Sequence, residues 1–247
     1  MVVKRWSDRE AGKRADDVGA DPIERQLALQ IYASQLIGGD PELVQHGGGN
    51  TSCKLLRKDL FGNDVMVLHI KASGYDLAQL SAQGMPAVRL DGLLALRALE
   101  RLEDADMVNA VRQNLMNSDA PNPSIEILLH AYLPHPFVNH THATAMLALA
   151  NLPGAEAAVQ EIFGDTVACV PFHKPGFALA RAAAEIYEAN PDVGGLLLLN
   201  HGHFAFGASP KDAYELVIKH TNMVEGWLKS KRGKRPKARA ASKSVAR

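Results

Sequence analysis

Cysteine is scarce in this 247-residue chain: there are two, Cys53 and Cys169, and neither belongs to a CxxC pair. Two such residues make neither a disulfide framework nor a thiolate metal site, and a reducing, cytoplasmic setting is the expectation. Long apolar runs are missing too. No stretch approaches the roughly eighteen residues that a membrane span needs. The opening residues, MVVKRWSDREAGKRADD, have no apolar centre of the kind that defines a secretory leader. Net charge is also absent, with 27 basic and 27 acidic residues. The balance is uneven along the chain. From Lys229 to Arg247 there are nine Lys or Arg and no acid, which leaves 18 basic against 27 acidic residues over 1–228, about −9. That basic segment has no apolar periodicity and reads as a disordered, solvated tail, in preference to a nucleic-acid arm.

What is present is ordinary globular material, 47% hydrophobic and 22% charged, without internal repeats. The length suits one large α/β domain over residues 22–228, preceded by a short extension over 1–21. Residues 22–38 have helical spacing and Pro22 in an opening position. Residues 63–71 (NDVMVLHIK) have strand character, and Ser73-Gly74 breaks them. Helices are expected over 90–103, 106–116, 124–133, 143–152, 176–190 and 214–228. Further strands are expected over 137–142, 164–171 and 194–200. Strands and helices alternate irregularly, which points to a layered α/β or α+β domain.

Histidines carry the first chemical signal. His140-Thr141-His142 lies in an extended segment, where residues i and i+2 leave the same face, so two imidazoles stand side by side. The apolar strand Gly194–Asn200 ends on His201-Gly202-His203, and ligands gather at such strand ends. Three histidines with an open fourth position form a catalytic zinc arrangement. His201 is the third ligand in this reading; His203 has the same parity and stands as the alternative. Pro123-Ser124-Ile125-Glu126 adds a carboxylate at a helix start. Glu126 is either a capping acid or a proton-transferring group tuned by a neighbouring metal. His130, one turn on, is either a structural residue or a supporting neighbour. The turns 46–52 (HGGGNTS) and 71–74 (KASG) offer backbone N–H groups and hydroxyls suited to phosphate. Neither is a Walker or dinucleotide motif.

Taken together, HGGGNTS, KASGYDL, PSIE, HTHATAML and LLLLNHG, in that order, resemble the class II aldolase/adducin family from about residue 22 to 228. The likeness is greatest to the aldolase part of bifunctional rhamnulose-phosphate aldolase/alcohol dehydrogenase proteins, which also share APNPS-x-E and VPFHKPGF; no dehydrogenase part is expected here. The resemblance implies a three-layer α/β/α fold with a mostly antiparallel central sheet, and a homo-oligomer, commonly a tetramer, with active sites between subunits. It implies a zinc ion on His140, His142 and His201, with Glu126 as the catalytic carboxylate. It places Gly49, Asn50, Ser73, Gly74 and Ser124 on phosphate-binding turns. The implied reaction is retro-aldol cleavage of a ketose 1-phosphate such as rhamnulose- or fuculose-phosphate, with metal-stabilised enediolate chemistry. One departure is Ile125, where the simpler phosphosugar aldolases of the family tend to carry a second hydroxyl residue. Tyr75 and Tyr214 are the candidates for the tyrosine that protonates the departing aldehyde. A pentulose-phosphate 4-epimerase, a decarboxylase of the same family, and an adducin-like binding module without catalysis are the competing readings.

Overall fold

A computed structural model describes residues 1–45 and 48–231. His46 and Gly47 of the glycine-rich turn, and residues 232–247 of the basic segment, lie outside the described residues. No helix among the described residues is long and apolar enough to cross a membrane.

Seven strands form one sheet in the order β3-β2-β1-β4-β7-β6-β5. They are β1 (Asn50–Lys58), β2 (Asp64–Ile70), β3 (Ala87–Arg89), β4 (Phe137–Thr141), β5 (Val167–Val170), β6 (Gly195–Leu198) and β7 (Gly202–Gly207). Only β5 and β6 run parallel; every other neighbouring pair is antiparallel. Side-chain alternation sorts the apolar residues into two cores on opposite faces. Phe137 of β4, Leu197 and Ala205 join one core, and Val138, Leu196, Phe204 and Phe206 join the other. The first core is closed by α2 (Pro22–Gly38), α6 (Thr144–Ala150), α7 (Ala155–Phe163) and α9 (Pro210–Lys231). The second is closed by α3 (Leu90–Ala95), α4 (Asp104–Gln113), α5 (Ile127–Tyr132) and α8 (Phe177–Ala189). The result is the three-layer α/β/α arrangement with a mostly antiparallel sheet. The first helix, α1 (Asp8–Asp17), lies on α2, and Val2 is buried in the first core.

Several element boundaries differ from the sequence expectation. The helix expected over 90–103 stops at Ala95, passes through a tight turn at Leu96–Ala98 and becomes extended at Leu99. Arg181 of α8 holds that bend by donating to the carbonyls of Leu99 and Glu100. The helix expected from Ser124 begins only at Ile127, because Ser124 N–H donates to the Lys71 carbonyl and Pro123 bridges Ala72. Strands β1 and β7 and helix α7 form where no element was expected. Helix α9 runs on to Lys231, three residues into the segment read as tail, with Lys231 paired to Glu161.

Candidate metal and acid/base site

The site lies at one end of β4, on the face of the second core. Register sets it up: Asn50 of β1 pairs with His140 of β4, which pairs with Phe204 of β7. His140 is therefore fully buried, with its ring stacked on Phe204 at a centroid distance of 4.3 Å. His142 follows just past the strand end on the same face, with its Nε2 3.0 Å from His140 Nε2. His201 arrives from the tight turn joining β6 and β7. That turn needs a left-handed residue, and Asn200 supplies it at φ 57°, the one non-glycine positive φ among the described residues. The Asn200 side chain donates to Asn151 and its backbone N–H to Ala150, which fixes the turn against α6.

The metal-binding atoms of His140, His142 and His201 all lie within 4.8 Å of one another. Two neighbouring glycines make the approach possible. A Cβ on Gly202 would sit 2.8 Å from the Thr141 carbonyl and 2.9 Å from both His140 and His142. A Cβ on Gly49, at φ 67°, would lie 2.6 Å from the His140 carbonyl. His140 Nδ1 lies 3.1 Å from the His203 carbonyl, so that nitrogen carries the proton and Nε2 presents a lone pair. Burial pushes His140 down to about 3, against the pull of Glu126, and burial and His201 lower His142. Neutral imidazoles are the state that a metal requires.

Glu126 stands at the start of α5 and makes no capping hydrogen bond. Its carboxylate faces the histidines instead, with Oε1 3.1 Å from His201 Nε2 and Oε2 3.4 Å from His140 Nε2. Asn50 Nδ2 donates to Oε2 at 2.6 Å and to Ser124 Oγ at 3.1 Å. Burial pushes the Glu126 carboxyl up, but His140, His201 and Asn50 outweigh it and hold it well below the usual carboxylate range. Oε1 is close to His201 but out of line for a hydrogen bond, and it is buried without a hydrogen-bonded partner, as is His201 Nδ1. Burying an ionised oxygen without a partner is costly. A cation among these atoms removes that cost. The 3.0 Å nitrogen separation also sits near the ~3.3 Å expected for a tetrahedral ion at the usual zinc–nitrogen distance. The residues fit a divalent metal on three imidazoles, and the donor set suits zinc.

His203 lies on the other face of β7. Its Nε2 is 3.0 Å from His220 Nδ1 of α9, and it contributes only its carbonyl to the site. The turns at 71–74 and 122–124 are laced together by Ser73 N–H donating to the Asn122 carbonyl and by Ser124 N–H donating to that of Lys71. Ser73 and Ser124 thereby line one cavity of about 170 Å³, with Arg112, Asn122 and Ile125. Gly74, at φ 80°, shapes the first of these turns. Asn50, read as part of a phosphate turn, has both amide hydrogens committed to Ser124 and Glu126. Tyr214 is buried on the opposite face, its hydroxyl accepting from Arg5 N–H, and the Tyr75 ring packs near Leu80 and Gly84. Among the described residues, no ring contact or hydrogen bond joins either tyrosine to His140, His142 or His201. Sequence reasoning missed Ser52, whose hydroxyl contacts His130 at 2.7 Å, and the carbonyl role of His203.

Comparison with known proteins agrees with this architecture. The N-terminal class II aldolase domain of a conserved protein from Thermoplasma acidophilum is 32% identical, with a TM-score of 0.82 over 92% of this chain and all of that one. YgbL from Klebsiella pneumoniae, for which aldolase, epimerase and decarboxylase are all named, shares the fold at 19% identity and a TM-score of 0.62, over 87% of this chain and 95% of that one. An L-fuculose 1-phosphate aldolase shares it at 19% identity and 0.57, over 86% and 88%. The oxidoreductase YuxG of Bacillus subtilis, itself uncharacterized, is 33% identical over 213 residues, or 86% of this chain. The chain spans about a third of that relative, 31% of its length. Residues 30–228 match the family described as class II aldolase and adducin N-terminal domain, and the chain belongs to that family.

Proposed function

We propose that the protein is a metal-dependent aldolase that cleaves a ketose 1-phosphate, with zinc on His140, His142 and His201 and Glu126 as the acid/base. The observation that supports this best is the convergence of three imidazoles on a buried carboxylate that does no capping work. In the retro-aldol direction a proton leaves the C4 hydroxyl, the C3–C4 bond breaks, an aldehyde departs and C3 of the remaining fragment is protonated. A divalent ion on the three imidazoles supplies the electron sink for the bond that breaks, the part a Schiff-base lysine plays in other aldolases. Glu126 moves the proton at C3, and Asn50 holds its Oε2 in place. The backbone at Gly49 and Gly74, with Ser73 and Ser124, takes the phosphate. Ile125 offers no hydroxyl there, so the phosphate is held by fewer donors.

Rhamnulose- and fuculose-phosphate are the substrates to try first. The oxidoreductase in the name of the Bacillus relative belongs to a protein of which this chain matches less than a third. No GxGxxG precedes a helix in this sequence to bind a dinucleotide. A homotetramer in the cytoplasm completes the proposal. The test is elemental analysis together with a panel of free and phosphorylated ketoses scored for aldehyde release. One zinc per chain and cleavage of a ketose 1-phosphate are expected, with both lost in His140→Ala, His142→Ala and His201→Ala. A metal-free protein inert to the whole panel points to the non-catalytic binding module instead. Metal that survives His201→Ala but not His203→Ala refutes the ligand set.

A further inference from the structure

The side of Glu126 away from the metal ligands is held by a chain of three buried polar groups. Asn50 Nδ2 donates to Glu126 Oε2 at 2.6 Å, and Asn50 Oδ1 contacts His130 Nε2 at 2.5 Å. His130 Nδ1 in turn contacts Ser52 Oγ at 2.7 Å. All three side chains are sequestered, His130 completely, and its ring stands edge-on to Phe204, the residue that stacks on His140.

Hydrogen-bond accounting leaves one consistent assignment of protons. Glu126 and Ser124 both need the Asn50 amide as donor, because a carboxylate only accepts and Ser124 Oγ is contacted by Asn50 Nδ2. Asn50 Oδ1 must therefore accept, and only His130 Nε2–H is there to donate. A neutral imidazole carries a single N–H, so His130 Nδ1 bears a lone pair and accepts from the Ser52 hydroxyl. Burial keeps His130 neutral, pushing it down to about 3. Ser52, His130 and Asn50 thus donate in one direction, ending on the carboxylate.

We propose that His130 is a positioning residue that, with Ser52 behind it, fixes the Asn50 amide so that its donor face points at Glu126 Oε2. Without that lock the amide can turn over, presenting its oxygen to the carboxylate and repelling it. This rests on Glu126 being the acid/base, as proposed above. Sequence spacing alone supports a humbler role, a core histidine filling space behind α5, and the experiment separates the two.

The first measurement needs no substrate. Long-range proton–nitrogen NMR on the zinc-loaded full chain should find His130 protonated at Nε2 and not at Nδ1. An Nδ1–H tautomer overturns the relay whatever the enzyme does. The second measurement follows turnover of whichever ketose 1-phosphate the panel identifies. His130→Leu should lower kcat about 10–100-fold, the usual cost of losing a partner behind a site residue, with KM and zinc content unchanged. His130→Gln, which keeps a donor near the Nε2 position, should recover most of the loss. In a Glu126→Gln background His130→Leu should cost nothing further, since the group it positions is gone. If His130→Leu does not fold, Ser52→Ala takes its place, with a smaller fall in kcat and a mixed His130 tautomer expected. Full activity in the His130 or Ser52 variant beside an inactive Glu126→Gln sinks the relay and leaves the aldolase reading intact. Full activity in Glu126→Gln sinks the aldolase reading first.

Discussion

Glu126→Gln is the substitution on which the chemistry turns, and the structure sets both the size and the shape of its effect. Glutamine is nearly isosteric with glutamate and keeps a carbonyl oxygen for Asn50 Nδ2, now 2.6 Å from Oε2. The side chain makes no cap contact, so no helix-start hydrogen bond is lost. A buried charge is removed and its desolvation cost disappears, while contacts with His140 and His201 weaken. These changes oppose one another, and a net stability change within about 1 kcal/mol is expected. For a chain of this length that is roughly 2–4 °C in melting temperature. Turnover responds differently. Loss of a positioned proton carrier costs about 10²–10⁴-fold, or roughly 3–5 kcal/mol of barrier. A carboxylate that only favoured the helix terminus would contribute about 0.3–1 kcal/mol of stability and nothing to rate. One preparation settles the matter through its melting curve, its zinc content, its retro-aldol rate and its exchange of the C3 proton of dihydroxyacetone phosphate in D2O. An enzyme that folds, holds zinc and still turns over normally refutes Glu126 as the proton carrier.

Other outcomes follow from the same contacts. Gly202→Ala places a methyl group 2.8–2.9 Å from the Thr141 carbonyl and the His140 and His142 rings. It should weaken zinc binding at least tenfold in a metal titration while costing about 1–3 kcal/mol of stability, and unaltered affinity would show that the turn has room to spare. Acid should destabilise the fold early, because burial lowers His69 and His220 to about 4 from 6.5. Between those values the unfolded chain takes up protons that the folded chain refuses, so stability is complete above about pH 6.5 and falls by up to roughly 3 kcal/mol per histidine as pH drops to 4. A melting temperature flat from pH 7 to 4.5 would contradict this. A chain ending at Lys231 keeps the pairing of Lys231 with Glu161 and should match the full chain in melting temperature, oligomeric state and turnover. Loss of any of these would give the basic segment a packing or active-site role.

How much of this was legible in the sequence depended on the distance over which each feature acts. The pairing of His140 with His142 is a property of strand alternation and needs only three residues. His201 could be placed because an apolar run ends on Asn-His-Gly, and the left-handed Asn200 and small Gly202 are what a tight turn packed against the His140 and His142 rings demands. The same run concealed β7: GHFAFG alternates as a strand does, but its glycines and the histidine before it read as loop. Strand β1 was hidden in the same way by the glycines that precede it. What no local pattern carries is register across the sheet. Asn50 meets Glu126 because β1 and β4 pair so that Asn50 lies opposite His140, while the turn at Ser124 is tied to Lys71. These constraints join residues 90 apart (140 − 50) and 53 apart (124 − 71) in the chain. The resemblance carried by HGGGNTS implied a phosphate turn for Asn50. Its two amide hydrogens are committed to Ser124 and Glu126, which sets it behind the carboxylate, and the Gly48 N–H before it is taken by the Gln45 carbonyl.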